Sequence, residues 1–367
     1  MPHVDLSQAA AVAIDLRTGE VLYERNALRA LAPASTEKLT LSYALLVRLG
    51  PGYRIRTDLL ADGAAEGDTW RGNLVLKGYG DPTLTKWDLR ALARSVSTLG
   101  IRRITGSVLA DESYYDARRV GRGWKPSYYI TESAPLSALV VDRARVGGRT
   151  STRPALAAAE KLRAALKAYG VSVAGGVALG RASPNAPRIV RTSSAPLARI
   201  LHAVNGDSDN FTAEMLLKHL GAAVRGKGTS DAGAAAVTDA LREAGIPLDG
   251  VRIADASGLS LLDRLTVRTL ADLLATSWHD RALRGIFLAT LAVSGRRGTL
   301  DDRLRGRAVA GKVFAKTGTT SRASALAGYV NGRYAFAVLQ NGSPVSWWWA
   351  RYAQDRFVTV LAKTPAG

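Results

Sequence analysis

Residues 31–50, LAPASTEKLTLSYALLVRLG, decide how the rest of the chain is read. Ser35 and Lys38 follow Pro33 and stand at the head of an apolar run with helical character. Three residues apart on one helix, the two side chains share a face and can meet. A serine hydroxyl becomes a useful nucleophile when a base takes its proton, and Lys38 could be that base. Read alone, a serine at a helix start is first of all an N-cap. Lys in place of Glu or Gln at the N3 position departs from a capping box. The local sequence leaves nucleophile and cap both open.

The chain has 367 residues and is 47% hydrophobic, so it can bury a sizeable core and exceeds the size at which one core usually stops growing. Two domains are expected. No window offers the uncharged apolar run that a membrane-spanning helix needs. The opening MPHVDLSQAA lacks a basic n-region and an apolar h-region, which leaves a cytoplasmic protein or one whose signal peptide has been removed. The absence of cysteine excludes disulfides, thiolate metal sites and a cysteine nucleophile. His3, His202, His219 and His279 have no zinc-ligand spacing, so no metal or other cofactor is expected. The formal charge is +19, and between Arg118 and Arg153 eight Lys/Arg stand against two acids. Such an excess serves solubility or attracts a polyanion. Nucleic acid is not expected, because no recognition motif accompanies the charge. Anionic wall polymer and lipid headgroups are the other partners of that class.

Alternation in AAVAIDLRTGEVLYERN predicts two antiparallel strands around a tight turn at Thr18-Gly19. Near the other terminus GKVFAKTGTT, ASALAGYV and RYAFAVLQNG predict three more, the last two joined at Asn331-Gly332, and VSWWWARYAQDRFVTVLAK predicts a closing helix. One antiparallel sheet built from both chain ends, with helices against it, follows. Residues 59–190 repeat a helix–Gly–strand pattern and read as a small α/β module inserted between 1–58 and 191–367. Residues 192–300 are mainly helical. The overall class is α/β (α+β). GYGDP lacks phosphate-loop spacing and reads as a turn.

Two distant motifs bear on Ser35. Ser208-Asp209-Asn210 opens the helix NFTAEMLLKHLG, and Lys316-Thr317-Gly318-Thr319 lies in strand-like sequence. S-x-x-K, S-D-N and K-T-G in that order are the set found in penicillin-binding proteins and serine β-lactamases. A decoy, Ser183-Pro184-Asn185, lies in a loop with no helix behind it and is set aside. The stretches PASTEKLTLSYALLVRLGPGYRIRT, GNLVLKGYGDPTL, ITGSVLADESYYD, SAPLSALVVDRARV, SDNFTAEMLLKHLG, DASGLSLLDRLT and AKTGTTSRASALAGYV run almost end to end. Together they resemble the class C low-molecular-mass penicillin-binding proteins, the D-alanyl-D-alanine carboxypeptidase/endopeptidase family that includes penicillin-binding protein 4 (peptidase family S13). In larger members a third domain interrupts the second. Here only GGRTST joins the corresponding pieces, so that domain is expected to be absent. The acid with which some members greet a free diaminopimelate amine is not found after Trp124, where KPSYY follows.

The resemblance implies a β-lactamase/transpeptidase-like catalytic domain whose substrate is a peptidoglycan stem peptide ending in D-Ala-D-Ala, and which β-lactams acylate. Ser35 would attack the penultimate D-Ala carbonyl with Lys38 as base. Lys38 must then fall about three pKa units from 10.4 to be neutral near pH 7, at about 4 kcal/mol, and burial together with Lys316 as a like-charged neighbour would depress it. Ser208 would relay a proton to the leaving amine, and Asn210 would hold Lys38 and the substrate amide. Lys316, Thr317 and Thr319 would bind the terminal carboxylate, Gly318 would leave room for the substrate backbone, and the Ser35 and Thr319 amides would form the oxyanion hole. Asp255, Ser257, Gly258 and Leu259 are read as structural support. Export follows from that substrate and favours a removed signal peptide. The alternatives are a serine β-lactamase, for which Glu243 lies in the interval of a deacylating acid but reads as a surface residue, and a non-catalytic wall-binding module. Trp347, Trp348 and Trp349 cannot all face one core; one left exposed beside a basic surface could touch wall or membrane, but packing under the insert is the first expectation.

Overall fold

A computed structural model of the chain describes residues 5–364. Both ends of the chain meet in one six-stranded sheet. Its spatial order is Ala292–Val293, Val313–Thr319, Ala323–Val330, Tyr334–Asn341, Ala9–Asp15 and Val21–Arg25, antiparallel at every step. The inner strands are buried on both faces, which explains their near-continuous small and apolar sequence. Along Ala323–Val330, Ala325, Ala327 and Tyr329 pack into one core with the helices Lys38–Leu49 and Val267–His279, while Leu326 and Val330 enter a second core under the helix Trp347–Lys363. This is the two-residue period of a strand put to use on both sides.

The turn at Asn331-Gly332 forms as its sequence predicts. Arg333 N donates to Val330 O at 3.0 Å, with φ of 56° and 63° at the two central residues, the type I′ geometry that suits a twisted hairpin. The first hairpin differs from the tight turn expected. Its connection spans residues 16–20, because the Asp15 carboxylate accepts the Arg17 amide (2.8 Å) and the Asp15 carbonyl accepts that of Gly19 (2.8 Å), which widens the loop.

A second sheet of seven strands lies between residues 56 and 193. Its main path runs Val177–Leu179, Val108–Asp111, Thr69–Gly78, Arg56–Glu66 and Arg188–Ser193, parallel in the first two steps and antiparallel in the last two. Helices Lys86–Thr98 and Pro154–Ala168 cover it and share a separate hydrophobic core from Leu59 to Val171. The first of these starts with a reciprocal Thr85/Asp88 capping box. Two strands were not legible in the sequence. The bounds read there, 58/59 and 190/191, fall inside Arg56–Glu66 and Arg188–Ser193, which pair with each other. Where larger family members are expected to carry a third domain, the chain makes a ribbon of two-residue strands, Arg145–Val146 and Arg149–Thr150.

Candidate active site

Ser35 stands one turn short of the helix it was expected to open. It lies in a 3-10 turn, Ala34–Glu37, and the α-helix starts at Lys38. Neither element has a side-chain cap, so the hydroxyl is free of that role. Instead Ser35 Oγ donates to the Ser257 carbonyl (3.1 Å) and accepts from Lys38 Nζ (2.9 Å). Three-residue spacing in a 3-10 turn stacks side chains above one another, which brings the pair together as readily as an α-helix would. Ala34 holds a left-handed φ of 47° to present the serine. Such a non-glycine conformation costs about 1–3 kcal/mol and persists only where packing imposes it. Gly258 leaves room for it here: a Cβ on Gly258 would lie 1.8 Å from the Ala34 carbonyl oxygen.

Lys38 is fully buried. Its ammonium also donates to Asn210 Oδ1 (2.8 Å) and the Ser257 carbonyl (2.6 Å). Burial pulls its pKa down to about 8, and the carboxylates around it, Asp255 and Glu214 foremost, stop it falling further. Of the two expected causes, burial lowers Lys38, whereas Lys316 is not among the groups that shift it. The like-charge effect is felt at Lys316 itself, which burial and then Lys38 push well below the ordinary lysine range.

The second and third motifs converge on this pair. Asp209 caps the helix Asn210–Arg225 by accepting the Thr212 amide, and this aims Asn210 at Lys38. Ser208 takes a φ of 63° just before the cap, and its Oγ accepts from Lys316 Nζ at 2.8 Å. Lys316 also reaches the Thr317 carbonyl (2.7 Å). Thr317 Oγ1 donates to Thr299 Oγ1 (2.8 Å), and Thr319 Oγ1 accepts from Arg351 (3.4 Å). Gly318 runs so close to the nucleophile turn that a Cβ would meet Pro33 O and Ala34 Cβ at 3.0 Å each. A larger residue would force apart the strand and the turn that carry the two motifs.

Behind Lys38 lies a group of acids that the sequence did not single out as part of the site. Glu214 Oε1 accepts the amides of Ala256 (2.8 Å) and Ser257 (2.9 Å). Asp255 accepts from Gly258 N (2.8 Å), Ser260 N (3.0 Å), Ser257 Oγ (2.7 Å) and Trp124 Nε1 (2.7 Å). These bonds fix the loop whose Ser257 carbonyl touches both Ser35 and Lys38. The loop read as support is therefore part of the site, through a main-chain oxygen rather than a side chain. Burial pushes Glu214 up to about 8 and holds Glu37 and Asp263 well above the usual carboxylate range. Each of the three keeps one buried oxygen with no hydrogen-bond partner among the described residues, an arrangement that suits the protonated form.

The remaining residues singled out in the sequence lie elsewhere. Glu243 is exposed and paired with Arg48 at 2.5 Å, a surface residue as read. Ser183 Oγ donates to Asp62 (2.8 Å). Trp347 and Trp348 are exposed on the helix Trp347–Lys363 rather than packed under the insert, because the buried stripe of that helix falls on Ala350, Ala353, Gln354, Val358 and Leu361.

A lysine-bound serine next to a second serine–lysine pair, under a glycine-bearing strand of an α/β fold, points to a serine peptidase. A profile of the D-Ala-D-Ala carboxypeptidase 3 (S13) family matches residues 2–153 and 146–364. The chain belongs to that family of serine peptidases. It is 31% identical to the D-alanyl-D-alanine carboxypeptidase of Actinomadura sp. (strain R39), over 93% of this chain and 79% of the relative. Penicillin-binding protein 4 of Haemophilus influenzae has the same fold, with a TM-score of 0.86 at 21% identity, covering 96% of this chain and 98% of that one. The penicillin G-acylated predatory endopeptidase Bd3459 of Bdellovibrio bacteriovorus superposes with a TM-score of 0.63 at 21% identity, over 98% and 93% of the two chains. Among the described residues no helix is long and apolar enough to cross a membrane.

Proposed function

We propose that the protein is a serine-type D-alanyl-D-alanine carboxypeptidase that acts on peptidoglycan stem peptides through an acyl-enzyme on Ser35 and is acylated there by β-lactams. One observation carries the reading: a fully buried lysine with its pKa near 8 lies 2.9 Å from the hydroxyl it would deprotonate. Neutral Lys38 takes the Ser35 proton as Oγ attacks the penultimate D-Ala carbonyl. The amides of Ser35 and Thr319 receive the oxyanion. Ser208, bound to Lys316, passes a proton to the departing D-Ala amine, and water then hydrolyses the acyl-enzyme. Lys316, Thr317 and Thr319 bind the terminal carboxylate, with Gly318 giving the substrate backbone access to the strand. Asn210 orients Lys38 and the substrate amide.

In this reading residues 1–58 and 191–367 form the catalytic domain, 59–190 the insert, and the third domain of larger members is missing. The enzyme would work outside the cytoplasmic membrane, where its substrate lies. A β-lactamase shares the acylation step and differs in discarding the drug quickly. Intact-mass measurement after a fluorescent penicillin is the deciding experiment. A stable adduct that Ser35→Ala abolishes, together with D-Ala release from a pentapeptide, is expected. Rapid drug turnover would make the protein a β-lactamase, and absence of any adduct would make it a binding module. Cleavage of cross-linked muropeptides then reports any endopeptidase activity.

A further inference from the structure

The helix Trp347–Lys363 turns one face to the core and leaves the other uncovered. Trp348, Tyr352, Arg356 and Val360 recur every four residues and so form one stripe. Trp348 is 65%, Tyr352 43% and Val360 62% exposed, although large apolar side chains are usually covered. The stripe is ordered within itself: the rings of Trp348 and Tyr352 stack 5.6 Å apart at 3°, and Arg356 reaches the Tyr352 hydroxyl at 3.3 Å. Beside it runs a groove of about 1010 Å³ with Ala308, Tyr352 and Val360 in its accessible wall, Leu304 and Val309 buried beneath, and Arg307, Lys312, Arg356 and Lys363 at its rim. Its one acid, Asp355, is already paired with Arg303 at 2.7 Å. Among the described residues, none of the four rim cations has a carboxylate partner.

Uncompensated cations around an apolar wall, edged by an indole and a phenol, match the interface of an anionic bilayer. Tryptophan and tyrosine settle at headgroup depth, and Lys/Arg meet the phosphates. A second copy would set cation against cation. A neutral glycan would leave the charges unanswered, and a soluble polyanion would leave the apolar wall wet. We propose that this outer face of Trp347–Lys363, with its groove, is a peripheral docking surface for a membrane bearing anionic phospholipid headgroups. Trp347 Nε1 donates to the Thr320 carbonyl (2.7 Å) and Arg351 to Thr319 (3.4 Å), so the same helix is tied to the end of the Lys316 strand. Docking would set the Ser35 cleft beside the membrane surface.

The test uses the full chain, needs no turnover, and so stands whether or not the proposed activity does. Flotation with vesicles of phosphatidylcholine alone or with 30% phosphatidylglycerol is compared at 100 mM salt. Binding to the anionic vesicles only is expected, with a blue shift in tryptophan emission. Arg356→Glu/Lys363→Glu and, separately, Trp348→Ser/Tyr352→Ser should each cut partitioning at least tenfold, with the circular dichroism spectrum and thermal unfolding midpoint unchanged as proof of folding. Arg163→Glu/Lys167→Glu, on the insert helix, controls for the general charge of the protein and should leave binding as it was. Equal binding to neutral vesicles, no binding to either, an equal loss in the insert control, or retention only by a soluble glycerophosphate polymer would each overturn the proposal.

Discussion

Replacing Lys38 by methionine should abolish acylation and, near neutral pH, relieve the fold of a burden. The ammonium is fully buried, and its pKa falls from 10.5 to about 8. Between those values the unfolded chain binds a proton that the folded one does not, so the parent protein gains stability as pH rises through this window. Above 10.5 the gain is complete, and below 8 it is lost. At 1.36 kcal/mol per unit, the buried charge costs the parent about 3 kcal/mol at pH 7 and under about 1 kcal/mol at pH 10. Methionine has a similar shape and no charge, so Lys38→Met carries no such term. The Lys38 charge also lowers Glu37 and Glu214 and depresses Lys316, so the measured slope reports the buried ammonium together with its coupling to these groups. Urea unfolding of both proteins at pH 7 and pH 10 measures it. The stability of Lys38→Met relative to the parent should shrink by about 2.5 kcal/mol over that interval. The lost hydrogen bonds to Ser35, Asn210 and Ser257 set the absolute difference but not its slope. A difference that stays flat, or grows, with pH would refute the account of Lys38 as a desolvated base.

Three further outcomes follow from the same geometry. The rate of acylation by a fluorescent penicillin should rise with pH as one group loses its proton near pH 8, because neutral Lys38 is the form that can accept the Ser35 proton; a stopped-flow profile flat from pH 6 to 9 would contradict this. Gly258→Ala puts a Cβ 1.8 Å from the Ala34 carbonyl oxygen at a φ of +78°, so thermal unfolding should show a loss of at least about 1–3 kcal/mol, with acylation slowed as Ser35 is displaced. Glu214→Gln keeps an acceptor for the Ala256 and Ser257 amides and should acylate nearly as the parent does. Glu214→Leu strands both amides at about 1–3 kcal/mol each and should acylate at least tenfold more slowly. Equal rates in the two variants would show that the loop holds its shape without the carboxyl.

Much of this was legible in the chain itself, for reasons that differ by residue. Ser35, Lys38, Ser208, Asn210 and Lys316 carry their chemistry in side chains at fixed spacings, and the strands that present Lys316 alternate clearly enough to be read. The Ser257 carbonyl could not be found that way, because every residue has one and only the fold aims it. A clue lay in DASGLS, where Gly258 follows Asp255 and Ser257 and marks a loop under close constraint. The strands Arg56–Glu66 and Arg188–Ser193 escaped notice because the outer half of the first, Gly63-Ala64-Ala65-Glu66, is exposed and carries no apolar alternation, and no residue of the second is buried. Burial was rightly named as a cause of the Lys38 shift, but the carboxyls that oppose it, Asp255 and Glu214, could not be read from the sequence because only the fold gathers them there. Trp347 and Trp348 were expected inside because tryptophan usually is. The alanines and Gln354 on the other side of their helix had already filled the inner face.

The sheet that holds Lys316 is closed by the first strand of the chain, with Ala9–Asp15 paired along Tyr334–Asn341. A ribosome delivers those two strands more than three hundred residues apart. Until the second emerges, the edge that should meet Ala9–Asp15 does not exist, and the Lys316 strand has yet to meet the Ser35 turn. The residues of the site are thus assembled from parts of the chain that are made at widely separated times.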